Sequence, residues 1–127
     1  MALLRVHAAA AAIFVVAILV QVFLAGLAIA NLGGSGTFST HIEFGYTWMG
    51  LAALALLVTV FLARRPRRDV GIVVAIIVLY VIQTLLPSFR SSSAAIAALH
   101  PVNALVLFVV ALWYARRLWL VAMPDRR

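Results

Sequence analysis

The chain has 127 residues, of which 67% are hydrophobic, and a formal net charge of +7; its mean hydropathy is +1.19. In soluble domains only about half of the residues are apolar, so this composition indicates a membrane protein. Because the sequence contains no cysteine, it excludes disulfides, thiolate metal sites, iron–sulfur clusters and covalent haem attachment.

Four apolar stretches are long enough, or nearly so, to cross a hydrocarbon core of about 30 Å, which requires about 20 helical residues. They predict helices over residues 4–30, 41–63, 70–86 and 99–118. Strands of a membrane β-barrel would instead alternate apolar and polar residues over about ten positions. Since that alternation is missing, the sequence predicts one all-α domain over residues 1–127, an up-down bundle of four transmembrane helices.

The connections between the four spans carry turn and breaker residues. The glycine-rich segment 31–40 predicts the first loop. Pro66 is expected to end the second helix, and Asp69 to cap the start of the third. Pro87 and the polar run after it break the third span, and residues 91–99 predict a short interfacial helix before the fourth.

All ten basic residues are arginines, and nine of them lie on one side of the predicted bundle. By the positive-inside rule, both termini are expected in the cytoplasm, with the chain in a bacterial inner membrane. The charge then reflects topology and attraction to anionic lipid, and we expect no nucleic-acid partner. Only Arg90 falls on the opposite side; the nine are Arg5, Arg64, Arg65, Arg67, Arg68, Arg116, Arg117, Arg126 and Arg127.

The two halves of the chain show a corresponding pattern. Gln21 lies in the first span and His41 opens the second, 20 residues later. Gln83 lies in the third span and His100 opens the fourth, 17 residues later. The pattern favours two repeated helical hairpins related by an axis along the membrane normal; a chance match is the alternative.

His41 and His100 are the candidate metal ligands. In an up-down bundle the second and fourth helices are diagonal, about 11–14 Å apart between axes. Both histidines are predicted at the same depth, near the outer ends of their helices. A planar metal macrocycle between them could therefore receive one axial nitrogen from each side.

Six further residues are predicted to line this cofactor site. Small residues one turn after each histidine leave space for a ring, and amide side chains can hydrogen-bond the ligand imidazoles. Trp48 and Tyr46 are predicted to mark an aromatic belt at the outer interface, but Trp48 stands one heptad after His41 and could instead wall the macrocycle. The six are Gly45, Ala104, Gln21, Gln83, Asn103 and Trp48.

A purely structural interpretation stays open. Histidines at the ends of membrane helices are often interfacial, and Gln or Asn side chains often hydrogen-bond helices together. His7, on the arginine side, is predicted to be interfacial. Trp113, Tyr114 and Trp119 are predicted to form an aromatic belt at the inner interface, and the inner half of the bundle is expected to be nearly all aliphatic.

Two short motifs carry a resemblance. The helix openings HIEFG (41–45) and LHPVNAL (99–105) resemble those of an uncharacterised family of small bacterial four-helix membrane proteins. In topology the chain also resembles one half of the heme A synthase family, which implies that His41 and His100 are axial haem ligands. That family has a glutamate three positions before its second-helix histidine and an arginine directly after it. Phe38 and Ile42 occupy these positions here, so the resemblance implies haem binding rather than synthase chemistry.

The leading hypothesis is therefore a b-type haem-binding membrane protein, with the two histidines coordinating haem b near the outer leaflet. Such a protein would serve electron transfer, haem handling or sensing, and no catalytic cycle of its own is expected. One alternative is a cofactor-free accessory or interaction subunit of a larger membrane complex. Another is a small-molecule or lipid-binding protein that uses the same pocket. The expected partners are the lipid bilayer and a membrane redox partner or larger complex; homo-oligomers stay open.

Overall fold

The computed structural model describes residues 1–31 and 37–123. Its helices are α1 (Ala2–Ala30), α2 (Ser39–Tyr46), α3 (Trp48–Leu62), α4 (Arg67–Leu85), a 3₁₀ helix (Leu86–Ser91), α5 (Ala94–Ala97) and α6 (Leu99–Ala122). The part of the chain so described contains no strand. Four segments are long and apolar enough to cross a membrane: Ala2–Ala30, Ser39–Leu62, Arg67–Ser91 and Ala94–Ala122. The predicted all-α bundle of four transmembrane helices is confirmed.

The second and third spans are each built from two helical pieces. The second consists of α2 and α3, which meet at Thr47, and backbone hydrogen bonds continue through this residue from Leu51 N to Thr47 O at 2.9 Å. In the third span, Pro87 stands in the first turn of the 3₁₀ helix that follows α4. The predicted interfacial helix before the fourth span corresponds to α5, which is four residues long.

Asp69 does not cap α4, contrary to the expectation from sequence. The cap position is Pro66, and no side chain caps this helix. The fully buried Asp69 carboxylate instead accepts from two arginines, with Oδ2 at 2.6 Å from Arg65 Nη2 and Oδ1 at 2.6 Å from Arg117 Nη1. A buried carboxylate is costly unless it is paired, so the two ion pairs decide where this side chain points.

Each long helix presents one stripe of buried residues to the interior. The stripe residues recur every three or four positions and therefore share one helix face. The other faces carry exposed Leu, Val, Ile and Phe side chains, as suits helices in contact with lipid. The stripes are His7, Ala11, Phe14 and Ile18 in α1; Met49, Ala53, Leu56 and Val60 in α3; Asp69, Val73 and Ile76 in α4; and Leu107, Ala111, Tyr114 and Leu118 in α6.

The four spans follow one another around the bundle. α1 packs against α3 and α6, and α4 packs against the same two helices. The diagonal pairs are therefore α1 with α4 and the second span with the fourth. This is the arrangement predicted from an up-down topology with short connections.

The two ends of the bundle are packed to different degrees. We call residues 21–31, 37–46 and 79–106 the loop half, and residues 1–20, 47–78 and 107–123 the arginine half. Among the described residues of the loop half, only Ala28 and Leu86 are buried. All other buried side chains lie in the arginine half, so the helices are held together there and the loop half is less tightly packed.

Candidate functional site

His41 is bound to Gln21 of the neighbouring helix in the loop half. The Nδ1 atom of His41 lies 3.1 Å from the main-chain oxygen of Gln21. The side-chain amide of Gln21 donates to the main-chain oxygen of His41 at 2.8 Å, and the same nitrogen lies 3.2 Å from the ring Nε2. One residue pair thus ties α1 to α2.

His100 is bound in the same way to Gln83. Its Nδ1 atom lies 3.0 Å from the main-chain oxygen of Gln83, and the Gln83 side-chain nitrogen lies 3.1 Å from its Nε2. Asn103 adds a further link: its amide nitrogen donates to Gln83 Oε1 at 2.7 Å and to the main-chain oxygen of Leu79 at 3.0 Å. The second hairpin therefore repeats the histidine–glutamine pair of the first.

The carbonyl beside each Nδ1 atom favours the neutral tautomer that is protonated on Nδ1, although at His100 the Gln83 side-chain nitrogen also lies 3.0 Å from Nδ1. A main-chain carbonyl can only accept, so each Nδ1 atom that faces one must carry the proton. Each Nε2 atom then has a lone pair, and this lone pair can accept from the nearby glutamine amide or bind a metal.

The structure brings the two histidines together across the diagonal of the bundle. The ring centroids of His41 and His100 are 6.3 Å apart, with an angle of 73° between the ring planes. Both rings are half-buried. Gln21 and Gln83 contact the rings directly and Asn103 contacts Gln83, so all four spans contribute to one polar region in the loop half.

The small residues have different surroundings. A Cβ atom at Gly45 would lie only 2.7 Å from Gln21 Nε2, so the missing side chain lets the Gln21 amide reach α2. Tyr80 donates to the main-chain oxygen of Gly45 at 2.9 Å and links α4 to the same point. Ala104 is half-buried beside Asn103.

Trp48 is more exposed than the other candidate residues, which are half-buried. It is the first residue of α3, and its side chain is 59% exposed. This exposure suits a place in the outer aromatic belt, and the role of Trp48 as a wall of the cofactor site stays a prediction.

The two histidine–glutamine pairs differ in the contacts of the glutamine side chain: only Gln21 donates to the main-chain oxygen of its histidine, and only Gln83 approaches Nδ1 of its histidine with its amide nitrogen. Gln83 Oε1 accepts from Asn103, whereas Gln21 Oε1 is buried and has no hydrogen-bond partner among the described residues. The residue three positions after His41, which corresponds to Asn103, is Phe44 and has no amide to offer. The first hairpin thus holds an unsatisfied acceptor next to its histidine.

The arginine half contains a second polar cluster that sequence reasoning missed. His7 is fully buried; its Nδ1 lies 2.9 Å from Thr59 Oγ1, and its Nε2 lies 2.8 Å from the Tyr114 hydroxyl. Since the Thr59 hydroxyl already donates to Ala55 O at 2.7 Å, it accepts from His7 Nδ1, and Tyr114 donates to His7 Nε2. Every polar atom of the His7 and Tyr114 side chains is satisfied.

This cluster corrects three sequence predictions. His7 is not interfacial, and the inner half is not purely aliphatic, since Asp69 is buried close to the same helix ends. Tyr114 does not belong to an aromatic belt, because it is fully buried against His7; Trp113 and Trp119 are 48% and 43% exposed. The prediction failed because hydropathy does not report which face of a helix a residue occupies.

A periodicity signal for the cluster was present in the sequence. His7 stands four and seven residues before Ala11 and Phe14, on the stripe of α1 that faces the interior. Tyr114 stands three residues after Ala111 and four before Leu118, on the corresponding stripe of α6. Polar side chains in membrane helices usually face the bundle interior, so this spacing was the available clue.

The chain was compared with protein families, curated proteins and solved structures. No curated protein and no solved structure matches it. Residues 21–91 match the model of DUF6220, a family of unknown function. The matched residues include Gln21, His41 and Gln83, and the predicted membership of an uncharacterised family is confirmed. Because the match spans more than half of the sequence, the chain belongs to the DUF6220 family.

Proposed function

We propose that this protein binds b-type haem between His41 and His100. The distance of 6.3 Å between the two ring centroids carries the proposal. Two imidazoles that each give one nitrogen to the same metal have centroids about 6 Å apart, because each metal–nitrogen bond is about 2 Å and a ring nitrogen lies about 1 Å from the ring centre. The imidazoles thus already stand at a suitable separation.

The hydrogen bonds of the two histidines support the same role. A metal-bound histidine commonly donates its second N–H to a carbonyl, which fixes its tautomer and orientation. The main-chain oxygens of Gln21 and Gln83 accept these bonds from Nδ1, leaving the Nε2 lone pairs for coordination. Binding requires the two glutamine side chains to leave Nε2, but the main-chain bonds to Nδ1 are unaffected.

The number of donors favours a macrocycle over a bare ion. The described residues contain no group of three or more His, Cys, Asp or Glu side chains that could hold a metal. Two histidines alone leave most coordination positions of an ion unfilled, whereas haem brings four nitrogens of its own. A planar group would also enter the loop half at the lowest cost in packing free energy, because few buried contacts there must be given up.

Bound haem would supply one-electron redox chemistry, and the protein would hold it by two axial imidazoles. This arrangement suits electron transfer, haem handling or sensing. We place the protein in a bacterial inner membrane with the arginine half toward the cytoplasm and the haem near the outer leaflet. The arginines at that end support this orientation, and a membrane redox partner or larger complex would complete the pathway.

An absorption spectrum of the purified protein after haem-replete expression tests the proposal. We expect a Soret band that is lost in the His41→Ala/His100→Ala double variant. His7→Gln is the matched control, since it changes the remaining histidine at the other end of the bundle and should keep the band. Absence of the band in the wild type, or its persistence in the double variant, would refute haem binding.

The proposed orientation has its own test, because the chain has no cysteine. Single cysteines at Ser91 and Arg68 lie at opposite ends of the bundle. With a membrane-impermeant maleimide added to intact cells, Ser91→Cys should react and Arg68→Cys should react only after the membrane is opened. The reverse pattern would place the histidine pair on the cytoplasmic side.

A second candidate is a cofactor-free accessory or interaction subunit. It is favoured by one observation: each imidazole already has partners for both nitrogens within its own hairpin. In that case the glutamine–histidine pairs serve only to join helices. The protein would then purify without a chromophore and with a partner protein in fixed ratio.

A further inference from the structure

We propose that the two histidines are unequal as ligands: His100 is the permanent axial ligand and His41 the exchangeable one. A small neutral ligand of ferrous haem, of the class of carbon monoxide or nitric oxide, then binds on the His41 side. This inference rests on the proposed haem function and adds to it a ligand class and a direction of access.

His100 is held by a closed set of hydrogen bonds. Asn103 uses both amide hydrogens, one on Gln83 Oε1 at 2.7 Å and one on Leu79 O at 3.0 Å. Gln83 is therefore fixed on its oxygen side, and its main-chain oxygen fixes His100 Nδ1 at 3.0 Å. All three residues that orient this imidazole belong to α4 and α6, and α6 has six buried residues that anchor it in the arginine half.

His41 lacks the asparagine link, although the main-chain oxygen of Gln21 still holds its Nδ1 atom at 3.1 Å. Gln21 Oε1 is buried without a hydrogen-bond partner among the described residues, and Phe44 stands where the second hairpin has its asparagine. The Gln21 amide is held by its nitrogen alone, which donates to the main-chain oxygen of His41 at 2.8 Å, and a buried acceptor that lacks a partner costs free energy. In addition, α2 has no buried residue, so a shift of His41 disturbs little packing.

The same glutamine would become useful once His41 has left. Gln21 Nε2 lies 3.2 Å from His41 Nε2, on the side of the ring from which His41 would bind haem. Its N–H can therefore donate to the ligand that replaces the imidazole. The exchange breaks one metal–nitrogen bond and forms one bond to the incoming ligand, and neither partner is oxidised or reduced.

Haem content and carbon monoxide binding of matched variants test the inference. We expect His41→Ala to keep haem as a five-coordinate species that binds carbon monoxide at once, and His100→Ala to lose most of its haem. The reduced wild type should bind carbon monoxide more slowly than His41→Ala, because His41 must leave first. Asn103→Leu should lower haem affinity about tenfold, as expected when a group that orients a ligand is removed.

The spectra separate a failure of this inference from a failure of the proposed function. A wild-type protein without a Soret band refutes haem binding itself. If the wild type carries haem, the inference is overturned when His41→Ala loses haem as fully as His100→Ala, or when only His100→Ala keeps it. It is also overturned if Asn103→Leu and Phe44→Leu change haem affinity equally, since Phe44 has no amide to lose and serves as the matched control.

Discussion

The arginine half and the loop half both place histidine between polar partners, but they do so at different degrees of burial. His7 is fully buried, and each of its nitrogens has one hydroxyl partner. His41 and His100 are half-buried and lie beside each other; each is bound by the glutamine of its own hairpin, and Gln21 Oε1 has no partner among the described residues. A complete, buried network stabilises a fold, whereas an incomplete one in a loosely packed region can exchange partners.

Residue type alone does not show which end of the bundle carries the proposed site. Histidine, tyrosine and an amide or hydroxyl occur at both ends. What separates them is the packing around them: the buried stripes of α1, α3, α4 and α6 converge in the arginine half. We therefore expect substitutions there to act on stability and substitutions in the loop half to act on binding.

The largest effect is expected from Asp69→Asn in the arginine half. The change leaves two arginines without their shared carboxylate and should lower the free energy of unfolding by about 3 kcal/mol, as when one partner of a buried ion pair is removed. Denaturant titration in detergent micelles, followed by circular dichroism, measures it. Glu43→Gln, an exposed acid of the loop half, is the control and should change stability by less than about 0.5 kcal/mol. Equal losses would contradict the comparison.

Two tyrosines provide the next test, one from each half. Tyr114→Phe leaves buried His7 Nε2 without its donor and should cost about 2 kcal/mol, whereas Tyr80→Phe removes a half-buried bond to the main-chain oxygen of Gly45 and should cost about 1 kcal/mol. The same unfolding titration measures both. A larger loss for Tyr80→Phe would mean that the loop half is the better packed end.

Alanine substitutions at Gly45 and Gly26 distinguish a steric requirement for glycine from the general effect of helix propensity on stability. Gly45→Ala places a methyl group 2.7 Å from the present position of Gln21 Nε2, so the amide must move and about 1 kcal/mol should be lost with it. Gly26→Ala meets nothing within 4 Å and should stabilise α1 by about 0.5–1 kcal/mol through helix propensity. Thermal unfolding measures both. Stabilisation by Gly45→Ala would show that the Gln21 contact contributes nothing.

The smallest effect is expected from Trp48→Phe. The indole is mostly exposed, so stability should change by about 0.5 kcal/mol or less. If haem is bound as proposed, this exposed side chain should contribute little to the site, and the Soret maximum should be unchanged. A shifted maximum in Trp48→Phe, with His41 and His100 unchanged, would place the indole against the cofactor after all.

Much of the fold could be predicted from the sequence because its signals are local. Uninterrupted apolar stretches give the four spans, and Pro66 and Pro87 mark where α3 and α4 give way to other structure. Short connections impose the up-down order, which in turn puts His41 and His100 on diagonal spans. The spacing of Gln21 and Gln83 from their histidines predicted amides near both rings, and the hydrogen bonds are found.

Other features depend on residues far apart in the chain. Thr59 and Tyr114 are 52 and 107 residues from His7, and no local pattern pairs them. Asp69 fits the local pattern of a helix cap. Its partner Arg117 is 48 residues away, so no local pattern could indicate the ion pair. Spacing alone left Trp48 either in the outer aromatic belt or beside the cofactor, and its 59% exposure follows from how α3 packs.

The sequence by itself determined a four-helix membrane bundle, its charge asymmetry, and two histidines at one end, because apolar length, charge and turn residues act over a few positions. Only the tertiary structure decided which polar groups are buried, how the imidazoles are oriented, and which glutamine oxygen lacks a partner. These outcomes depend on how the four helices rotate about their axes, and that rotation is set by the packing of whole stripes against one another.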